Sequence, residues 1–190
     1  RTVRTVLRRA ELRDRDPLAD LLALAELDGL HGLVVAARAR QVVHDRVRRD
    51  LHPDLGVRVG AHPGFDDKEN FGRTEMLLSA ADIEEMTRLQ VKALADICEE
   101  EGVKLQHVKP HGAFYNMSAS REMSMARAIC RGIIAVDPSL FMLAPRASCL
   151  AAAAKEAGLP VASEVFADRA YEEDGSLVSR KKPGAVITDV

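Results

Sequence analysis

The 190-residue chain has almost no charge excess: 27 basic and 29 acidic side chains leave a formal net charge of −2. Nothing in that balance favours nucleic acid or an anionic membrane surface as a partner. Long apolar runs are missing too, none approaching the ~20 residues that cross a bilayer as a helix. The arginine-rich N-terminus has no apolar core followed by small residues, so no secretory signal is read there and a cytoplasmic location is expected. Cysteine is scarce. Cys98, Cys130 and Cys149 are odd in number and far apart, which argues against a disulfide frame or a zinc cluster and fits reduced core thiols. Also absent are the Gly-x-x-x-x-Gly-Lys-Ser/Thr phosphate loop, the Gly-x-Gly-x-x-Gly fingerprint, the Gly-x-Ser-x-Gly elbow and the His-Glu-x-x-His zinc helix. A nucleotide, if one is used, is held by another geometry or by another polypeptide of an assembly.

What is present fits one domain with a sizeable core, at 47% hydrophobic and 29% charged residues. Composition nevertheless changes near residue 56. Residues 1–56 hold eleven Arg and no Lys, and no Ser, Asn, Ile, Met, Phe, Tyr, Cys or Trp; from residue 57 all of these except Trp occur. Two readings of that segment stay open. It has the composition of GC-rich codons read in a wrong frame or across a misplaced exon boundary, and the first residue is Arg, so the true start is expected to be missing or processed. Alternatively it is a genuine arginine-rich helical segment, with Leu18, Leu21, Leu22 and Leu24, then Val42, Val43 and Val47, as its apolar face. Functional expectations therefore rest on residues 57–190, taken as a second unit.

From residue 57 the pattern alternates strand and helix. A strand over Val57–Ala61 stops at His62-Pro63-Gly64, and an irregular loop covers 64–78. Ser79 and Asp82 open a helix that runs to about Glu101, with Gly102 as its stop. Ile83, Met86, Gln90, Leu94, Ile97 and Cys98 are its expected buried stripe. Strand 104–108, helix 120–136, strand 140–144, helix 147–157, strand 161–166 and a last apolar run 185–188 complete the order. Such alternation predicts parallel β/α units, with apolar strands covered on both faces. Ligands in these folds bind at the carboxyl ends of the strands.

Three strand ends carry ionisable groups. His62 ends the first and precedes a Pro-Gly turn, where a loop histidine bonded to a backbone carbonyl is the plain alternative. Lys109 and His111 end the second, two residues apart, so their side chains point the same way. A cation there suits developing negative charge, and an imidazole suits proton transfer near neutral pH. Tyr115 and Asn116 are either hydrogen-bonding support or plain loop residues. Glu164 sits in the apolar third run and needs a partner or a function. Asp168 and Arg169 follow it as adjacent residues whose side chains diverge; Arg169 suits a bidentate clamp on carboxylate or phosphate, or else a structural ion-pair network.

Gly60-Ala61-His62-Pro63-Gly64-Phe65, Asn70-Phe71-Gly72-Arg73, Lys109-Pro110-His111-Gly112-Ala113-Phe114-Tyr115-Asn116 and Glu164-Val165-Phe166-Ala167-Asp168-Arg169-Ala170-Tyr171, in this order, resemble the LamB/YcsF family of lactam-utilization proteins. Asp174-Gly175-Ser176-Leu177-Val178-Ser179-Arg180 and Pro183-Gly184-Ala185-Val186-Ile187 extend the match. The resemblance implies a β/α barrel of the glycoside hydrolase/deacetylase type. It implies ATP-dependent opening of 5-oxo-L-proline to L-glutamate, with Mg2+ accompanying ATP and with partner subunits B and C of a 5-oxoprolinase. The catalytic residues it implies are His62, Lys109, His111, Glu164, Asp168 and Arg169, with Arg73, Tyr115 and Asn116 binding substrate. In that scheme His111 or His62 is the general base, Lys109 and Arg169 stabilise phosphoryl or oxyanion charge, and Glu164 and Asp168 orient the histidines or hold Mg2+. Two motifs that members carry upstream, an Asp-Leu-Asn-x-Asp-x-Gly-Glu strand and a Cys-Gly-Phe-His-Ala-Gly-Asp segment, are missing. The expectation is an aberrant N-terminus, a truncated C-terminus and an incomplete barrel. The rival readings are a metal-dependent amidase or deacetylase using His62 and His111, and an inactive truncated member.

Overall fold

The computed structural model describes residues 58–120 and 122–188. The apolar faces expected within residues 1–56 lie outside the described residues. Four short strands form one parallel sheet: β1 (Val59–Ala61), β2 (Leu105–Val108), β3 (Phe141–Pro145) and β4 (Val161–Glu164). Their spatial order is β1-β2-β3-β4, the same as their order in the chain. A doubly wound sheet would reverse at a switch point, whereas a barrel winds one way. The described strands form an open arc of such a winding.

Helix α1 (Ala80–Glu100) joins β1 to β2. Ser79 caps it: its hydroxyl oxygen accepts from the Asp82 amide at 3.1 Å and its hydrogen goes to the Asp82 carboxylate at 2.6 Å. Ile83, Thr87, Val91, Leu94, Ile97 and Cys98 are the buried stripe. Met86 and Gln90, expected on it, are only half-buried. Gln90 has another task, described below. Gly102, at φ +65, ends the helical run as expected.

Between β2 and β3 lie two helices, α2 (Gly112–Ser120) and α3 (Met123–Ile134). The sequence predicts one, starting near Ser120. Pro110 and Gly112 read as a turn, but here they set a helix start, with Gly112 at φ +54 as its first residue. Helix α4 (Cys149–Glu156) is capped by Ser148, whose hydroxyl accepts from the Ala151 amide at 3.0 Å. Strand β4 stops at Glu164, two residues earlier than expected, and Val165 is exposed. The run 185–188 forms no sheet strand; Val186 makes an isolated bridge with Arg169.

The core lies between the sheet and its helices, with Phe65, Val108, Phe114, Ile129, Met142 and Leu150 fully buried. Cys98 and Cys130 are free and buried there, and burial pushes their thiols up, to about 11 and about 12, as expected for inert packing residues. Among the described residues no helix is long and apolar enough to cross a membrane.

Candidate active site

Parallel pairing continues past the ends of β1 and β2. The Lys109 amide donates to the Ala61 carbonyl at 2.9 Å, and the His111 amide to the Pro63 carbonyl at 2.8 Å. This lays the two strand-end turns side by side and brings His62 against Lys109 and His111. Gln90 of α1 fixes the first turn: its side-chain oxygen accepts from the Gly64 amide at 3.0 Å and its amide group donates to the Gly64 carbonyl at 2.9 Å. Gly64 and Gly72 let His111 pack closely: its Cβ and ring would lie 3.2 and 3.0 Å from a Cβ added at 64 and 72, and Gly72 also has φ +64.

The histidines form a chain of three hydrogen bonds. His62 Nδ1 lies 2.5 Å from the Lys109 carbonyl oxygen, His62 Nε2 lies 2.8 Å from His111 Nδ1, and His111 Nε2 lies 2.8 Å from the Phe71 carbonyl oxygen. Carbonyls only accept, so His62 Nδ1 and His111 Nε2 both carry hydrogen. The bond between the rings needs a third. Three hydrogens on four nitrogens make one imidazole and one imidazolium. Burial, aided by the positive charges of His111 and Lys109, pushes His62 down to about 3. His62 is therefore held as the neutral ring. At its exposed end the pair presents the His111 Nε2–H as a hydrogen donor.

A second cluster joins β2, α2 and β4. Lys109 Nζ is 2.6 Å from Glu164 Oε2, and the Tyr115 hydroxyl donates to Glu164 Oε1 at 2.9 Å. Burial and the Glu164 charge push the Tyr115 phenol up, so it stays a donor. Lys109 also sits 4.7 Å from the ring centre of Phe166. Glu164, the expected costly carboxylate, has both oxygens engaged.

The structure thus brings together His62, Lys109, His111, Tyr115 and Glu164. Arg169 turns elsewhere, donating from Nε to the Ala185 carbonyl at 3.1 Å and from Nη2 to the Val178 carbonyl at 2.7 Å. Asp168 is exposed, and its carbonyl accepts from the Ile187 amide. Asn116 is exposed, and Arg73 lies over the Phe71 ring at 5.1 Å, the ring that also packs edge-on against His111 at 5.0 Å. Two contributors carried no motif signal. His107, two residues before Lys109, is buried, stacks on Phe141 at 5.4 Å and fits only because residue 60 is glycine, whose added Cβ would fall 2.0 Å from its Nε2. The strand alternation that pairs Lys109 with His111 extends back to His107. The Phe71 carbonyl is backbone, which no residue type reveals.

The LamB/YcsF family model matches residues 35–190. The chain belongs to that family. The match begins within the arginine-rich segment, upstream of the change in composition. The 5-oxoprolinase A-subunit of Clostridium beijerinckii is 54% identical over 134 residues, covering 70% of this chain and 52% of the relative. That of Nitrobacter winogradskyi is 44% identical over 172 residues, covering 90% of this chain and 67% of the relative. The crystal structure of a lactam utilization protein from Thermus thermophilus superposes with a TM-score of 0.72 at 34% identity, covering 90% of this chain and 68% of that one. This LamB/YcsF chain thus spans about half to two-thirds of the lengths of these relatives.

The described residues of this LamB/YcsF chain do not converge on a metal ion. Lys109 is paired with Glu164, and Arg169 donates to two carbonyls. Glu164 is saturated, and the two imidazoles bond each other instead of converging. Among the described residues no group of three His, Cys, Asp or Glu side chains could hold a metal ion. The metal-dependent amidase reading has no support in this geometry.

Proposed function

We propose that this chain carries the ring-opening site for a cyclic amide, 5-oxo-L-proline, as the A-subunit of a cytoplasmic 5-oxoprolinase with B and C partner subunits. ATP, with Mg2+, is then used outside the residues described here. The observation that carries this reading is the linked set His62–His111 and Lys109–Glu164–Tyr115 at neighbouring strand ends, in a family whose relatives are named as 5-oxoprolinase A-subunits.

Opening a lactam adds the oxygen of water to the carbonyl carbon and breaks the carbon–nitrogen bond. Negative charge develops on the carbonyl oxygen, and the leaving nitrogen needs a proton. The Lys109 ammonium and the His111 Nε2–H meet the oxygen. The same His111 hydrogen then passes to the ring nitrogen, leaving His62 and His111 with two hydrogens between them. Glu164 takes the proton of water and Tyr115 holds it in place. Arg73, beside His111, meets the substrate carboxylate, and Asn116 borders the opening. Arg169 and Asp168 act at the rim by fixing the loop that closes over β4.

The test is glutamate release from 5-oxo-L-proline with ATP, on the chain together with its partner subunits. His111→Ala is expected to lower kcat by at least ~100-fold, the usual scale for a lost proton donor, with the far-ultraviolet circular dichroism unchanged. Turnover retained in that variant overturns the assignment.

A further inference from the structure

Every ring nitrogen of the histidine pair is engaged within the chain, so a pair that acts on substrate must first release one of its three bonds. They are not equally placed. The His62 contact to the Lys109 carbonyl lies within the backbone pairing of the β1 and β2 turns, and the contact between the rings is partly buried. The contact from His111 Nε2 to the Phe71 carbonyl is exposed.

The segment that supplies this carbonyl is unusual. Phe71 has φ +57, a left-handed conformation that is costly for a bulky side chain, and Gly72 follows at φ +64. The Gly72 carbonyl is pinned separately, accepting from the Ala113 amide at 2.9 Å. Between these two carbonyls lies a single peptide unit. The N–H of that unit donates to the Asp67 carbonyl at 2.8 Å. Glycine accepts either sign of φ, so the unit can rotate by giving up that bond and carry the Phe71 oxygen away from His111, while the Gly72 carbonyl stays on Ala113.

We propose that the Phe71 carbonyl is a built-in stand-in for substrate: it occupies the place on His111 Nε2 that the carbonyl of a cyclic amide takes, and the Phe71–Gly72 peptide turns aside on binding. This rests on the lactam reading above. A peptide carbonyl and a lactam carbonyl are the same functional group, so the exchange gives His111 Nε2 an equivalent acceptor, and its cost is the Gly72 N–H bond to the Asp67 carbonyl. Phe71 is thus a positioning residue, acting through its backbone.

The experiment uses the full chain with its partner subunits, 13C,15N-labelled in this chain, without ATP so that no turnover occurs. Scalar coupling across the hydrogen bond between His111 Nε2 and the Phe71 carbonyl carbon, and the chemical shift of that carbon, are followed. The probes are 5-oxo-L-proline with 13C at its ring carbonyl, and 2-pyrrolidinone, the same lactam without the carboxylate. The expected result is loss of the Phe71 coupling as the probe saturates and a new coupling from His111 Nε2 to the probe carbon. Binding of 5-oxo-L-proline, seen in its own line widths, with the Phe71 coupling intact overturns the stand-in and leaves the lactam reading in place. No binding of either probe overturns the lactam reading and this inference with it.

Discussion

Lys109 and Glu164 show how much of this site is held by charge. Their side chains are 18% and 15% exposed, enough burial to make an unpaired partner costly and enough water to moderate the loss. Lys109→Met leaves Glu164 with the Tyr115 hydroxyl alone and is expected to lower stability by ~1–3 kcal/mol in urea titrations. Adding Glu164→Gln should recover part of that loss, because a neutral amide no longer needs the cation. A double variant weaker than the single one would show that the pair is not coupled. His62 makes a different prediction. An unfolded histidine titrates near 6.5 and the folded one near 3, so as pH falls through this window protons bind the unfolded chain first. The neutral ring's contribution is intact above about pH 6.5 and is lost toward pH 3. His62→Gln, which keeps a donor for the Lys109 carbonyl, should flatten the fall of Tm between pH 6.5 and 3. An unchanged slope would show that other groups govern the acid limb.

Strand β2 organises the site because its period of two sends His107 and Lys109 to one face and its exit leads straight into α2. The strands, α1 and α4 were legible in the sequence, since apolar runs, Ser caps and stop glycines mark them locally. Helix α2 was not, because Pro110 and Gly112 carry the same signal for a turn as for a helix start. The Lys109–His111 spacing was legible for the same local reason, whereas the partners of Glu164 and Arg169 depend on contacts across 55 and 16 residues. Behind the sheet, α1 and α3 approach so closely that a Cβ on Gly132 would fall 2.5 Å from the Glu84 carbonyl oxygen and 2.9 Å from Thr87 Cβ. Two effects compete in Gly132→Ala. Alanine gains ~1 kcal/mol of helix propensity, while forcing the backbones apart costs ~1–3 kcal/mol. Backbone atoms cannot rotate out of the way, so the second effect should win and the urea midpoint should fall. A raised midpoint would mean that the two helices separate freely.

At the scale of the whole molecule, the division of labour follows from what the site lacks. Its cations are committed to Glu164 and to loop carbonyls, yet ring opening of 5-oxo-L-proline runs uphill and needs coupling to ATP. Under the proposed function, recognition of the lactam and use of the nucleotide are separate tasks in separate places, joined only in the assembly. If the two sites are also independent, ATP binding leaves the lactam affinity of this chain unchanged. The Kd of 5-oxo-L-proline for the chain with its partner subunits, measured calorimetrically with and without a non-hydrolysable ATP analogue, should agree within twofold, while glutamate release should require ATP absolutely. A lactam Kd that tightens tenfold or more with the analogue would be a coupling of about 1.4 kcal/mol. Coupling of that size would show that the nucleotide and lactam sites are linked through the assembly and would refute their independence.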